Sequence, residues 1–170
     1  MIARSLTLTA LAGLPSVKPG DDLAALLVAA LRRMQVQLRD KDVLVVAQKV
    51  VSKAEGRLVD LKNVAPSARA IALGEEVNKD ARLVEVILSE TDEIIRKQRD
   101  VLIVADRRGF IMANAGVDQS NVAGEDSDQV LLLPSDPDAS AAALKTQLAS
   151  PAGRWAYYAE LAGVHQARFL

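Results

Sequence analysis

Hydrophobic and polar positions along this chain change period several times, and each change marks a predicted element. Arg4 to Thr9 alternates polar and apolar side chains (Ser5, Leu6, Thr7, Leu8, Thr9), the pattern of a half-buried strand. Gly13-Leu-Pro-Ser-Val-Lys-Pro-Gly20 has neither period and reads as a loop broken by glycine and proline. Asp21 and Asp22 then offer an N-cap and first-turn negative charge to a helix from about Leu23 to Leu38. Along it Leu23, Leu26, Leu27, Ala30, Leu31 and Met34 recur at three and four, giving one apolar face. Val43 to Val46 is a short β-branched run suited to a buried strand, and Gln48, Lys49, Ser52 and Lys53 follow directly before a turn at Gly56.

Beyond Gly56, Leu58 to Leu61 reads as extended, and Pro66-Ser67 opens a helix ending near Gly74. A second helix begins after Asn78 on the dense apolar surface of Ala81, Leu83, Val84, Val86, Ile87 and Leu88, with Glu90 to Lys97 as its charged continuation. Val101 to Val104 and Phe110 to Ala113 flank Asp106-Arg-Arg-Gly109, the composition of a hairpin. Val130 to Leu133 is a fourth apolar run, and Ser135 or Asp136 caps a helix running through Ala141 to about Leu148. Strands and helices intermix and neighbouring strands pair as hairpins. The expected fold is therefore α/β: a mixed, partly antiparallel sheet with flanking helices.

Composition narrows the function. The chain has 170 residues, enough for one core, and only 3% are aromatic, so that core is aliphatic. A net charge of −1 with interspersed signs gives no nucleic-acid or membrane-surface footprint. No run approaches the length of a membrane span and the N-terminus lacks a signal-peptide shape, so the expectation is a cytoplasmic protein. The absence of cysteine removes disulfides, thiolate metal sites and thiol catalysis, and the single histidine, His165, leaves little for a histidine-based centre. GxGxxG and GxxxxGK[ST] are both absent, which argues against standard dinucleotide or P-loop binding.

Two stretches carry candidate chemistry. Gln48, Lys49, Ser52 and Lys53 bring an amide, two ammonium groups and a hydroxyl to the end of a core strand, where cations can meet a phosphate or carboxylate. The same residues also fit a surface turn with two solvated lysines. Asn114-Ala-Gly-Val-Asp-Gln-Ser-Asn121 gathers oxygen donors around Gly116, and Asp118 suits a hard cation such as Mg²⁺ or Mn²⁺, with Asn121 as a nearby hydrogen-bonding group. An Asx-type turn, in which these side chains satisfy their own backbone, is the alternative.

Six blocks occur in order: Gly13-Leu-Pro, Lys18-Pro-Gly-Asp-Asp-Leu23, Val45 to Arg57, Arg82 to Leu88, Asn114 to Val122 and Leu131 to Ala141. Together they resemble the N-terminal part of the gamma-glutamyl ligase of the deazaflavin coenzyme F-420, over roughly residues 5 to 148. The resemblance implies a GTP-dependent ligase of the cytoplasm that activates a carboxylate of the coenzyme precursor as an acyl phosphate, which the amine of L-glutamate then displaces. It implies that Leu14, Pro15, Ser16 and Val17 line the nucleotide pocket and that Gln48, Lys49 and Lys53 contact the nucleotide near its phosphates. It further implies that Asp118 ligates Mg²⁺ or Mn²⁺, that Asn121 hydrogen-bonds the nucleotide, and that the protein is a homodimer. It names no catalytic residue here.

Family members continue with an Asp-Thr pair, a Gly-Arg pair and a glycine-rich segment that this chain lacks. The expectation is an incomplete ligase-like domain at 1–149 followed by a diverged tail at 150–170. Trp155, Tyr158, Leu161, Ala162, His165 and Phe169 fall at helical spacing and predict a C-terminal amphipathic helix, covering apolar surface or forming a dimer contact. Other readings stay open: a non-catalytic nucleotide-binding or oligomerisation module, or one piece of a split or truncated ligase.

Overall fold

The first helix, α1 (Leu23–Arg33), starts where Asp22 accepts the amide of Ala25. It stops five residues before the expected Leu38. Gln35 adopts a left-handed φ of 56°, and the amides of Gln35 and Val36 return to the carbonyls of Arg32 and Leu31. That is a Schellman closure without the usual glycine, so no breaker announces it in the sequence. In the computed structural model the described residues are 5–39, 41–119 and 128–148, together with the backbone of 156–160.

Strand β1 (Val43–Ala47) passes into helix α2 (Gln48–Ala54) with no intervening loop. After the Gly56 turn comes β2 (Leu58–Asp60). Helix α3 (Ala68–Val77) is capped by Ser67 and closed by Asn78 in the left-handed region, and α4 (Ala81–Ser89) is capped by Asp80. Strands β3 (Thr91–Gln98), β4 (Val101–Asp106) and β5 (Ile111–Ala113) form an antiparallel sheet. Strand β6 (Gln129–Leu131) pairs antiparallel with β2, and helix α5 (Pro137–Leu148) follows, with Asp136 accepting the amide of Ala139. The mixed, partly antiparallel α/β class expected from the pattern is the class observed.

Two aliphatic clusters hold the chain. One joins α3, α4 and β4 through Leu73, Val77, Val84, Ile87, Leu102 and Val104, with Ala115 and Val130. The other joins α1, β1, α2 and α5 through Leu23, Leu27, Val46, Val51 and Leu144, with Leu14, Val17, Val50 and Ala54 against it. Burying each such side chain contributes about 1.5–3 kcal/mol, so many small contacts replace the few aromatic anchors this sequence lacks.

Four expectations are corrected. Residues 5–9 form no strand: Leu6 and Leu8 are 85% and 87% exposed, because alternation sets two faces but supplies no hydrogen-bonding partner. The β1 run is not buried throughout; Val46 is, while Val43 and Val45 point outward. The charged stretch after α4 is strand β3 and does not continue the helix. The hydroxyls of Ser89 and Thr91 donate to the carbonyls of Val86 and Ile87 at the helix end, and β4 offers the residues beyond an antiparallel ladder that runs to Gln98 through two register shifts. In the tail, Ala156–Glu160 is a strand, β7, parallel to β1 with Val43 opposite Ala156. The edge of β1 gives a Tyr-containing segment its ladder partners, which outweighs helical spacing there. The other tail residues, Trp155, His165 and Phe169 among them, lie outside the described residues.

Candidate functional site

Helix α2 divides its side chains by their spacing. Gln48 and Ser52, one turn apart, face inward, and the Gln48 amide donates to the Ser52 hydroxyl at 2.6 Å with both residues buried. Lys49 and Lys53, also one turn apart, share the neighbouring face. Two ammonium groups at this spacing repel mildly, so the face favours an anion. The protein supplies one: Lys49 Nζ lies 3.2 Å from Asp118 Oδ2, with side-chain exposures of 42% and 27%. Lys53 is half-buried and makes no ion pair or hydrogen bond among the described residues.

An exposed pair of this kind contributes about 0–1 kcal/mol and does not hold two segments together by itself. The backbone does that. Leu58, just past the Gly56 turn, pairs with Leu131 in the β2–β6 ladder, and Leu131 exchanges both backbone hydrogen bonds with Asp118, at 2.9 and 2.8 Å. The carboxylate is thus tied by hydrogen-bonded backbone to the strand that leaves the lysine helix. Approach to Asp118 runs through a left-handed turn: Asn114, Ala115 and Gly116 have φ of 53°, 52° and 70°, closed by the amide of Val117 on the carbonyl of Asn114. A non-glycine residue there costs about 1–2 kcal/mol, so the loop stores strain beside its carboxylate. Asn114 Oδ1 is buried without a hydrogen-bond partner among the described residues, a second cost in the same turn.

The C-terminal end of α2 is gripped from three sides. The amide of Gly20 donates to the carbonyl of Ala54 at 2.9 Å. Glu55 accepts from the Ser135 amide and the Ser140 hydroxyl, and Arg57 donates to the Leu133 carbonyl and pairs with Glu90 at 2.9 Å. Gly20 ends the proline-punctuated loop, so that loop packs against the lysine helix. Leu14 and Val17 share a cluster with Val50 and Ala54, while Pro15 and Ser16 are exposed. The loop's start is held by Arg33, whose guanidinium donates to the Gly13 carbonyl at 2.6 Å.

Of the residues singled out in the sequence, Lys49 thus meets Asp118, Lys53 stands one turn further along the same helix, and Leu14 and Val17 pack with Val50 and Ala54 of that helix, while Gln48 is buried within it. Asn121 lies outside the described residues. Arg33 lies outside the ordered blocks, and Glu55 and Arg57, which also fix the parts, lie within the Val45 to Arg57 block with no role read from it. As for a divalent cation, the described residues gather no set of three His, Asp or Glu ligands. Asp118 is a single hard oxygen donor, partly open to solvent. It suits a cation that brings phosphate oxygens and water with it, and holds a free one only weakly.

Fold and candidate site together define a mixed α/β domain in which Lys49, on a dibasic helix face, meets the carboxylate of Asp118. The chain belongs to the F420-0:Gamma-glutamyl ligase family, whose profile matches residues 13–155. Among curated proteins it is 42% identical over 149 residues to the coenzyme F420:L-glutamate ligase of Methanothermobacter thermautotrophicus, covering 88% of this chain and 58% of that one. It is 46% identical over 132 residues to the protein of the same name from Methanopyrus kandleri, covering 78% and 49%. The Natronomonas pharaonis protein of that name matches at 43% over 145 residues, covering 82% and 54%. The chain therefore spans about half the length of the curated relatives it matches.

Proposed function

We propose that this chain carries the nucleotide- and metal-binding part of a coenzyme F420:L-glutamate ligase. The observation that supports this reading is the meeting of Lys49 and Asp118 at 3.2 Å, on a helix against which the Gly13–Gly20 loop is docked. In the reaction the γ-phosphoryl group of GTP passes to a carboxylate oxygen of the deazaflavin precursor, giving GDP and an acyl phosphate. The amine nitrogen of L-glutamate then attacks the acyl carbon, the bond to the phosphate oxygen breaks, and an amide, inorganic phosphate and a proton result. Asp118 would hold a Mg²⁺ or Mn²⁺ ion, which would supply charge neutralisation to the transferring phosphoryl group.

The residues of this chain do the rest of the work assigned to them by position. Lys53, half-buried with no counter-ion among the described residues, offsets negative charge on the phosphates, the kind of preorganised electrostatic help that phosphoryl transfer needs. Leu14 and Val17 give the nucleotide an apolar wall anchored in the second cluster, and Asn121 donates or accepts at the nucleotide. The active species is a homodimer in the cytoplasm, the dimer checked by light scattering of the pure protein.

The test is formation of the glutamyl conjugate from the deazaflavin precursor, L-glutamate, GTP and Mn²⁺ by pure protein, followed by mass spectrometry. Product that requires GTP supports the ligase. A second reading, nucleotide binding without turnover, is favoured by Asp118 being the one carboxylate that the described residues pair with the lysine face, and GTP binding with no product selects it.

A further inference from the structure

Lys49 and Asp118 are each suited to a different ligand, yet they lie in contact with one another. The ammonium that would meet a phosphate sits 3.2 Å from the carboxylate that would meet a cation. We infer that this ion pair is a latch: Lys49 guards Asp118 against a free divalent cation, and the phosphates of an incoming nucleotide open it by drawing Lys49 away. The inference rests on the nucleotide-binding reading above and adds an order of events to it.

Three features carry the argument. First, the pair is partly solvated, so it is cheap to break and suits an exchangeable contact better than a structural one. Second, the segments stay together when it opens, because Leu131 holds Asp118 by two backbone hydrogen bonds and Gly20 and Glu55 hold α2. Third, Asp118 alone is a poor site for a hydrated dication, and an ammonium at contact distance makes it poorer by direct repulsion. Once phosphate takes Lys49, the same carboxylate loses its cationic neighbour at the moment phosphate oxygens become available as further ligands. Binding of nucleotide and cation is then positively coupled through one side chain, and the coupling is reciprocal.

The latch is tested by binding, without turnover. Mn²⁺ alone is titrated into wild type, Lys49→Met and Lys49→Gln, with free Mn²⁺ read by electron paramagnetic resonance. GTP with chelator present is titrated into wild type and Asp118→Asn by calorimetry. Both Lys49 variants are expected to bind Mn²⁺ alone about fivefold more tightly than wild type. Asp118→Asn, which releases Lys49, is expected to bind metal-free GTP more tightly by a similar factor. Equal Mn²⁺ affinity in wild type and both Lys49 variants, with wild type still binding GTP and Mn²⁺ together, overturns the latch and leaves the nucleotide site standing. Wild type that binds neither GTP nor GTP with Mn²⁺ overturns the functional reading and the latch with it.

Discussion

Gly116 shows how much of this site is decided by single backbone positions. Its φ of 70° belongs to the left-handed region, and a Cβ there would lie 2.7 Å from Leu133 Cδ1 and 2.9 Å from Met112 Sδ. Gly116→Ala is therefore expected to destabilise the fold by about 1–3 kcal/mol, measured by urea unfolding, and to weaken any ligand held by Asp118. Titration gives a second prediction at this scale. The Ser67 hydroxyl and amide lower the pKa of Glu85 from its ordinary 4.5, and Arg82 lowers that of Asp80 from 3.8. Depressed carboxylates bind protons less tightly folded than unfolded. Their contribution is fully present above those ordinary values and is lost as pH falls through the lowered folded ones. Melting temperature should drop on acidification through that window, and Glu85→Gln should flatten part of the drop; an unchanged profile contradicts the assignment. The lysines, the aspartate and the glycine were all legible as residue types in the sequence. The orphaned Asn114 oxygen and the strain at Ala115 were not, because both depend on φ values that composition does not set.

Among the elements, those predicted best carry their own punctuation. Asp22, Ser67 and Asp80 start helices as capping chemistry requires, and Asp106 to Gly109 makes its hairpin with the fully buried Asp106 carboxylate accepting from Arg108 and Phe110. Misread elements are those whose fate lies in a distant partner. Thr91–Gln98 has helix-compatible charges but takes the ladder offered by β4, and residues 5–9 have a strand's alternation with no ladder to join among the described residues. The brace at Arg57 belongs here too, since it ties the end of β6 to the α4–β3 junction. Arg57→Ala leaves Glu90 unpaired in a partly buried position and frees the Leu133 carbonyl. A loss of about 2 kcal/mol in chemical denaturation is expected, with helix content unchanged. A loss within the usual surface range of about 0.5 kcal/mol would show that the brace is decorative.

At the scale of the whole molecule, the site lies on the seam between the two clusters. Val51 of the lysine helix belongs to one and Val117, beside Asp118, packs against the other, so the seam sets the spacing of cation and carboxylate. No such seam can be read from periodicity, which explains why ordered motifs located the two stretches while only three-dimensional pairing through Leu131 joined them. On the proposed reading the lysine face of α2 and Asp118 form one nucleotide–metal site. Calorimetric titration of GTP with Mn²⁺ into wild type, Lys53→Ala and Asp118→Ala is the decisive comparison. A saturable heat in wild type that falls by at least about tenfold in affinity in each folded variant is the expected result. Equal affinity in all three proteins, or binding that ignores Lys53 while responding to residues elsewhere, would contradict it.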